Sequence, residues 1–142
     1  MKFLLDTDHI SILQRQSGSE FLALMARIAQ VQRADLGFCI VSFHEQVLGC
    51  HTYLAQAKVA GDIVRGYQML DRVLTAFAAA QVLPFDSNAS AIFDGLVRQR
   101  VRIATMDLRI ASIGLNHSLT VLTRNTRDFS KVPGLVIEDW TI

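Results

Sequence analysis

The sequence predicts an α/β domain of three layers, helices on both faces of a central, mostly parallel sheet. Short β-rich apolar runs alternate with segments of helical periodicity along all 142 residues. The connections between them are short. The only prolines, Pro84 and Pro133, are placed where segments turn. With 51% apolar residues and no linker or repeat, the chain is expected to form one domain, 1–142, around a sizeable core.

The elements follow in order. Residues 2–5 form a short apolar strand, and Asp8 then stands where a helix N-cap would, ahead of Ile10, Ile12 and Leu13. Phe21, Leu24, Met25 and Ile28 recur at three and four and mark an amphipathic helix. Residues 36–41 are a β-rich run. Ser42-Phe43-His44-Glu45 has the form of a capping box and predicts a helix to about residue 58. Ile63, Tyr67, Leu70, Leu74 and Phe77 lay a continuous apolar stripe on a long helix over 62–79. Residues 81–85 are the next strand, Asp86 caps a helix to about Arg98, and Thr105 caps another ending near Gly114. Residues 119–122 give a fourth strand, and Val136 with Ile137 a short one at the sheet edge.

Composition excludes several classes. Three apolar residues before Asp6 are too few for a signal peptide, and no run approaches the ~20 needed to span a bilayer, so a cytoplasmic protein is expected. Cys39 and Cys50 lack metal or redox spacing and read as small buried hydrophobes. The net charge of +1 hides an asymmetry: residues 98–131 carry seven basic side chains and two acids, Asp107 and Asp128. Cations to hold a phosphate backbone, with anions reserved for metal, are what a phosphodiesterase needs. Arg100, Arg102, Arg109, Arg124 and Arg127 are the candidate contacts to such a backbone.

Functional groups in open α/β sheets collect beyond the carboxyl ends of the strands. Asp6 ends the first strand, Glu45 follows the second, Asp107 opens a late helix, and Asp128 follows the fourth strand. Each has an ordinary structural role available: turn residue, capping-box partner of Ser42, dipole-stabilised acid, or loop residue. Their joint placement points instead to a hard divalent cation, since carboxylates a few Å apart repel by an amount on the order of kcal/mol without one. Direct ligation falls to Asp6 and Asp107, a ligand or water-orienting role to Glu45, and a peripheral or second-metal role to Asp128. Such a site can act on phosphates.

Phe3-Leu4-Leu5-Asp6-Thr7-Asp8, Val41-Ser42-Phe43-His44-Glu45, Ala104-Thr105-Met106-Asp107-Leu108-Arg109-Ile110-Ala111 and Leu122-Thr123-Arg124-Asn125-Thr126-Arg127-Asp128-Phe129 resemble, in order and spacing, the four motifs of PIN-domain nucleases. The ending Val132-Pro133-Gly134-Leu135-Val136-Ile137-Glu138-Asp139-Trp140 resembles that of VapC-type toxins of bacterial toxin–antitoxin pairs. The resemblance spans essentially the whole chain. It implies a PIN-like fold and an Mg²⁺- or Mn²⁺-dependent endoribonuclease that inhibits translation and is silenced by a cognate antitoxin. A homodimer is also implied, giving the Ile63-to-Phe77 stripe a use. By position, Asp6, Glu45 and Asp107 are the core acids, Asp128 the fourth, and Thr123 and Asn125 support them. Two departures stand out. Asp8 occupies a position where many relatives have Asn, so it either caps the helix or adds charge to the site, and Arg100-Val101-Arg102 replaces a small or glycine-containing segment.

Two other readings compete. Leu4-Leu5-Asp6-Thr7-Asp8 also resembles the opening of haloacid-dehalogenase-type phosphatases, but Lys131 with Asp107 or Asp128 does not supply the downstream pattern they require. A PIN-like module that binds RNA or protein without cutting would gain nothing from four acids facing phosphates. The histidines at 9, 44, 51 and 117 have neither zinc nor triad spacing and receive no catalytic role.

Overall fold

The computed structural model describes residues 1–142. Five strands form one sheet: β1 (Phe3–Leu5), β2 (Leu36–Cys39), β3 (Val82–Leu83), β4 (Thr120–Leu122) and β5 (Val136–Glu138). Their order is β3-β2-β1-β4-β5, and every neighbouring pair is parallel. Seven helices accompany them: α1 (Thr7–Arg15), α2 (Ser19–Ile28), α3 (Ile40–Gln56), α4 (Ala60–Ala78), α5 (Ser87–Arg98), α6 (Thr105–Asn116) and α7 (Thr126–Phe129).

Strand alternation builds the layers. Leu4 and Val121 point into a core shared with α5 and α6, including Leu96, Ile110 and Ile113. Leu5 and Leu122, one residue on, point to the opposite face and pack with Ile10 of α1, Leu24 of α2, Phe77 of α4 and Trp140. This is the expected three-layer α/β/α architecture, with a sheet that is entirely rather than mostly parallel. Cys39 and Cys50 are buried and free. No helix is long and apolar enough to cross a membrane.

The local differences concern helix starts. Asp6, not Asp8, caps α1, accepting the Thr7 amide at 2.7 Å, while Asp8 lies in the first turn. The second strand is shorter than 36–41: α3 begins at Ile40, so Ser42 is buried inside its first turn and forms no capping box with Glu45. The helix start expected at Thr105 exists, but its cap is Ala104 without a side-chain bond, and the helix extends to Asn116. Asp86 does cap α5, accepting the Ala89 amide at 2.9 Å. Asp128 lies within the short helix α7 rather than in a loop.

The α4 stripe lies on the expected long helix but is only partly covered by this chain. Only Phe77 of the five is buried, together with Gly66 and Val73. Ile63, Tyr67 and Leu74 are 44%, 59% and 62% exposed, because α4 turns a face centred on Gly66 and Val73 inward. The row is unpaired within the chain.

Candidate metal centre

β1 lies at the middle of the sheet, bonded to β2 on one side and β4 on the other; the chain runs from β1 outward to β2 and β3 and then crosses back to β4, so the direction of strand addition reverses beside β1. Such a reversal opens a crevice. Asp6 sits there, with its amide still bonded to Leu122 O at 2.9 Å. Glu45 comes from the start of α3 and Asp107 from the first turn of α6. One carboxylate oxygen from each of Asp6, Glu45 and Asp107 lies within 4.8 Å of the others.

Asp6 is held from two sides. Its Oδ1 accepts the Thr7 amide, and its Oδ2 accepts the Thr123 hydroxyl at 2.8 Å. Burial pushes its carboxyl up to about 7, Asp8 and, less strongly, Asp107 adding repulsion that the Thr123 and Thr7 bonds only partly offset. Thr7 also orients Glu45: its Oγ1 lies 3.0 Å from Ser42 Oγ and donates to Glu45 Oε1 at 2.8 Å. Burial, then the charges of Glu45 and Asp128, raise the Asp107 carboxyl above the usual range, against a bond from Asn125.

Asp128 stands apart from the three-acid group. The Asn125 amide bridges it to the site, with Nδ2 3.4 Å from Asp107 Oδ2 and 3.2 Å from Asp128 Oδ2. Lys131 Nζ lies 3.4 Å from Asp128, and these Asn125 and Lys131 bonds hold its carboxyl below the usual range. Thr123 accepts the Asn125 amide N–H at 2.9 Å, so one hydroxyl links Asp6 to the loop that carries Asn125.

Asp8 ties α1 to that same loop. Its Oδ2 accepts the Arg124 amide at 2.9 Å, its Oδ1 lies 2.7 Å from His9 Nδ1, and its charge raises both Asp6 and Asp107. Buried His9 was given no role from sequence, yet it completes this bracing. The Trp140 amide donates to its Nε2 at 3.2 Å, leaving Nδ1 to carry the proton toward Asp8. The sole sequence signal was an acid–histidine neighbour pair, which is too common to single out.

The five candidate RNA-contacting arginines form no ion pair with the site acids. Arg100 and Arg102 are exposed in the link that leads into α6, and Arg127 is exposed on α7. Arg124 lies 3.5 Å from Glu20, and half-buried Arg109 lies 5.8 Å over the Phe93 ring. Asp6, Glu45 and Asp107 therefore face one another with no cation of the chain among them. Three hard oxygen donors in that state fit a hard divalent ion such as Mg²⁺ or Mn²⁺.

No family model matches the sequence. The chain is 33% identical over 60 residues to Ribonuclease VapC1 of Rickettsia felis, covering 39% of this chain and 45% of that protein. It is 37% identical over 65 residues to a tRNA(fMet)-specific endonuclease VapC of Salmonella typhimurium, covering 42% and 48%. The matched stretch thus spans about half the length of these curated relatives. Among solved structures, FitAcB from Neisseria gonorrhoeae is 26% identical with a TM-score of 0.72 over 97% of both chains. DNA-bound VapBC from Salmonella typhimurium is 22% identical with a TM-score of 0.77, covering 99% and 98%. The resemblance to VapC-type PIN-domain proteins therefore extends from four short motifs to the complete fold.

Proposed function

We propose that this chain is a divalent-metal-dependent endoribonuclease, the toxin of a toxin–antitoxin pair, acting on RNA in the cytoplasm. One observation carries the reading: the carboxylates of Asp6, Glu45 and Asp107 converge within 4.8 Å, unneutralised, at the carboxyl end of the central strand. Relatives bearing the VapC name are ribonucleases, and the structural neighbours include VapBC complexes, which supports both the activity and an antitoxin partner.

Asp6 and Asp107 would hold the ion, with Glu45 as a third ligand or as the group orienting water. Mg²⁺ or Mn²⁺ would supply Lewis acidity, lowering the pKa of water and offsetting charge on the phosphoryl oxygens. Thr123 and Thr7 fix the carboxylates so that little reorganisation is needed. Asn125 sets the distance between Asp107 and Asp128, keeping the fourth acid at the margin, where it serves as an outlying ligand or base. Arg100, Arg102 and Arg127, exposed around the entrance to α6 and on α7, supply positive charge for the RNA backbone. Arg109 and Arg124 have first to leave Phe93 and Glu20.

The exposed row Ile63, Tyr67 and Leu74 on α4 supports a protein partner, either the antitoxin or a second copy in a homodimer. The decisive experiment incubates purified protein with mixed RNA, with and without Mg²⁺ or Mn²⁺, beside Asp107→Asn. Metal-dependent cleavage lost in the variant is the expected result. Cleavage surviving chelator or the substitution overturns the mechanism.

A further inference from the structure

Beside the three acids, a cleft of about 550 Å³ opens between α1, α3 and α4, and Thr7 and Glu45 line both it and the metal centre. Its chemistry changes away from the acids. Gln14 and Gln46 hold each other through two reciprocal amide bonds of 2.9 Å, and Gln46 Nε2 also lies 3.2 Å from Ser11 Oγ. Both protons of Gln46 are thereby committed, whereas Gln14 keeps one N–H free and each carbonyl keeps a second lone pair. The result is a prearranged amide plane with an open donor and two open acceptors.

The same cleft is lined by the apolar side chains of Cys50 and Val73, both buried. Arg72, exposed and in no ion pair, stands at the cleft as well. An apolar wall, a polar edge and a cation together match one nucleotide: a flat base with hydrogen-bonding edges, and a phosphate. The volume is within the usual range for a small-ligand site, about 300–1,000 Å³.

We infer that this cleft is a nucleotide subsite, which takes the base beside the scissile phosphate of single-stranded RNA, reads its edge with Gln14 and Gln46, and holds its phosphate with Arg72. The inference rests on the nuclease reading and adds to it a source of sequence preference. Unstacked bases are the part of RNA that a protein reads by hydrogen bonds, and amide side chains supply the donor–acceptor pairs for doing so.

The test profiles cut sites in a random-sequence single-stranded RNA pool with Mn²⁺, using wild type, the Gln14→Ala/Gln46→Ala double variant, Gln14→Glu and Arg72→Ala. Wild type should show a base preference at one position flanking the cut. The double variant should lose about tenfold of that preference at that position alone. Gln14→Glu, which keeps the shape but adds a charge and replaces the donor to Gln46 by an acceptor, should shift the preferred base and guards against a double variant that fails to fold. Arg72→Ala should raise KM at every sequence and lower the salt slope by about one. Unchanged preference in folded Gln14 and Gln46 variants overturns the subsite while the nuclease reading stands. Variants that cut as wild type but escape an antitoxin assign the cleft to the protein partner and also overturn it. Absence of Mn²⁺-dependent cutting by wild type overturns both.

Discussion

Thr123 donates its hydroxyl proton to Asp6 Oδ2 at 2.8 Å, although 117 residues separate them. Because β1 and β4 are adjacent, this bond locks the ends of two strands and orients the most buried acid of the site. Thr123→Val should weaken Mn²⁺ binding about 10-fold or more, as loss of a partner behind a metal ligand generally does. Calorimetric titration with Mn²⁺ checks this, and an unaltered affinity would mean that Asp6 is held well enough by Thr7 alone.

Asp6 also sets a pH dependence. Its folded carboxyl titrates near 7 against 3.8 in the unfolded chain, so between these values the native state keeps a proton that the unfolded state has released. Stability of the metal-free protein should therefore fall as pH rises from about 4 to about 7, by on the order of 4 kcal/mol from this group. Asp107, raised by burial and Glu45, acts in the same direction. A divalent ion displaces the proton, so Mn²⁺ should stabilise more at pH 8 than at pH 5. Urea melts in chelator and in Mn²⁺ at both pH values measure it; chelated protein equally stable at both would refute the electrostatic account.

Asp107 and Asp128 should separate experimentally. Asp107→Asn removes a member of the converging group, whereas Asp128→Asn alters a residue outside it, linked to Asp107 through the Asn125 bridge and through its charge. The first should reduce Mn²⁺ affinity by about 10-fold or more, the second by less. Equal losses in the two titrations would place Asp128 among the direct ligands.

These assignments show how far the sequence could be read. Asp6, Glu45 and Asp107 were legible because strand ends in an α/β pattern share an edge; the same reasoning grouped Asp128 with them, and chain position could not tell that it stands apart. The cap of α1 was not. Asp6 and Asp8 are both good capping residues, and only the ladder bond from Asp6 to Leu122 makes the helix start at Thr7. Ser42 misled for a similar reason: its hydroxyl turns to Thr7 and Cys39 inside the core instead of capping. The α4 stripe was a correct periodicity whose partner the spacing could not choose, since helical repeats do not say whether an apolar row meets this chain or another: Phe77 and Leu70 pack inward while Ile63, Tyr67 and Leu74 stay exposed. In contrast, Val132-Pro133-Gly134-Leu135 announced its turn plainly. Gly134 has φ +79°, as the position after proline in a type II turn requires.

His9 should prove structural as well as positional. His9→Leu leaves the Trp140 amide without its acceptor and Asp8 without its imidazole partner, inside the protein. A loss of about 1–3 kcal/mol is expected in chemical denaturation. An unchanged midpoint would mean that water replaces the ring.

Gly114 gives a prediction independent of the site. A Cβ there would lie 2.9 Å from Val121 Cγ2 and 3.4 Å from Leu135 Cδ1, so α6 rests on the sheet at glycine distance. Gly114→Val should cost about 1–3 kcal/mol by overpacking. Thermal melting tests it.

The central place of β1 carries a mechanical corollary. Asp6 directly follows the strand bonded on both sides and its own amide is bonded to Leu122, whereas Glu45 and Asp107 are carried by helices outside the strand ladder. The binding pocket is therefore expected to have one firmly held jaw and two that can adjust: a guest, ionic or nucleic, would tighten it by drawing the acids of α3 and α6 toward Asp6. Amide exchange at Leu5 and Asp6 should then ignore metal, while exchange in the first turns of both helices slows when metal is added.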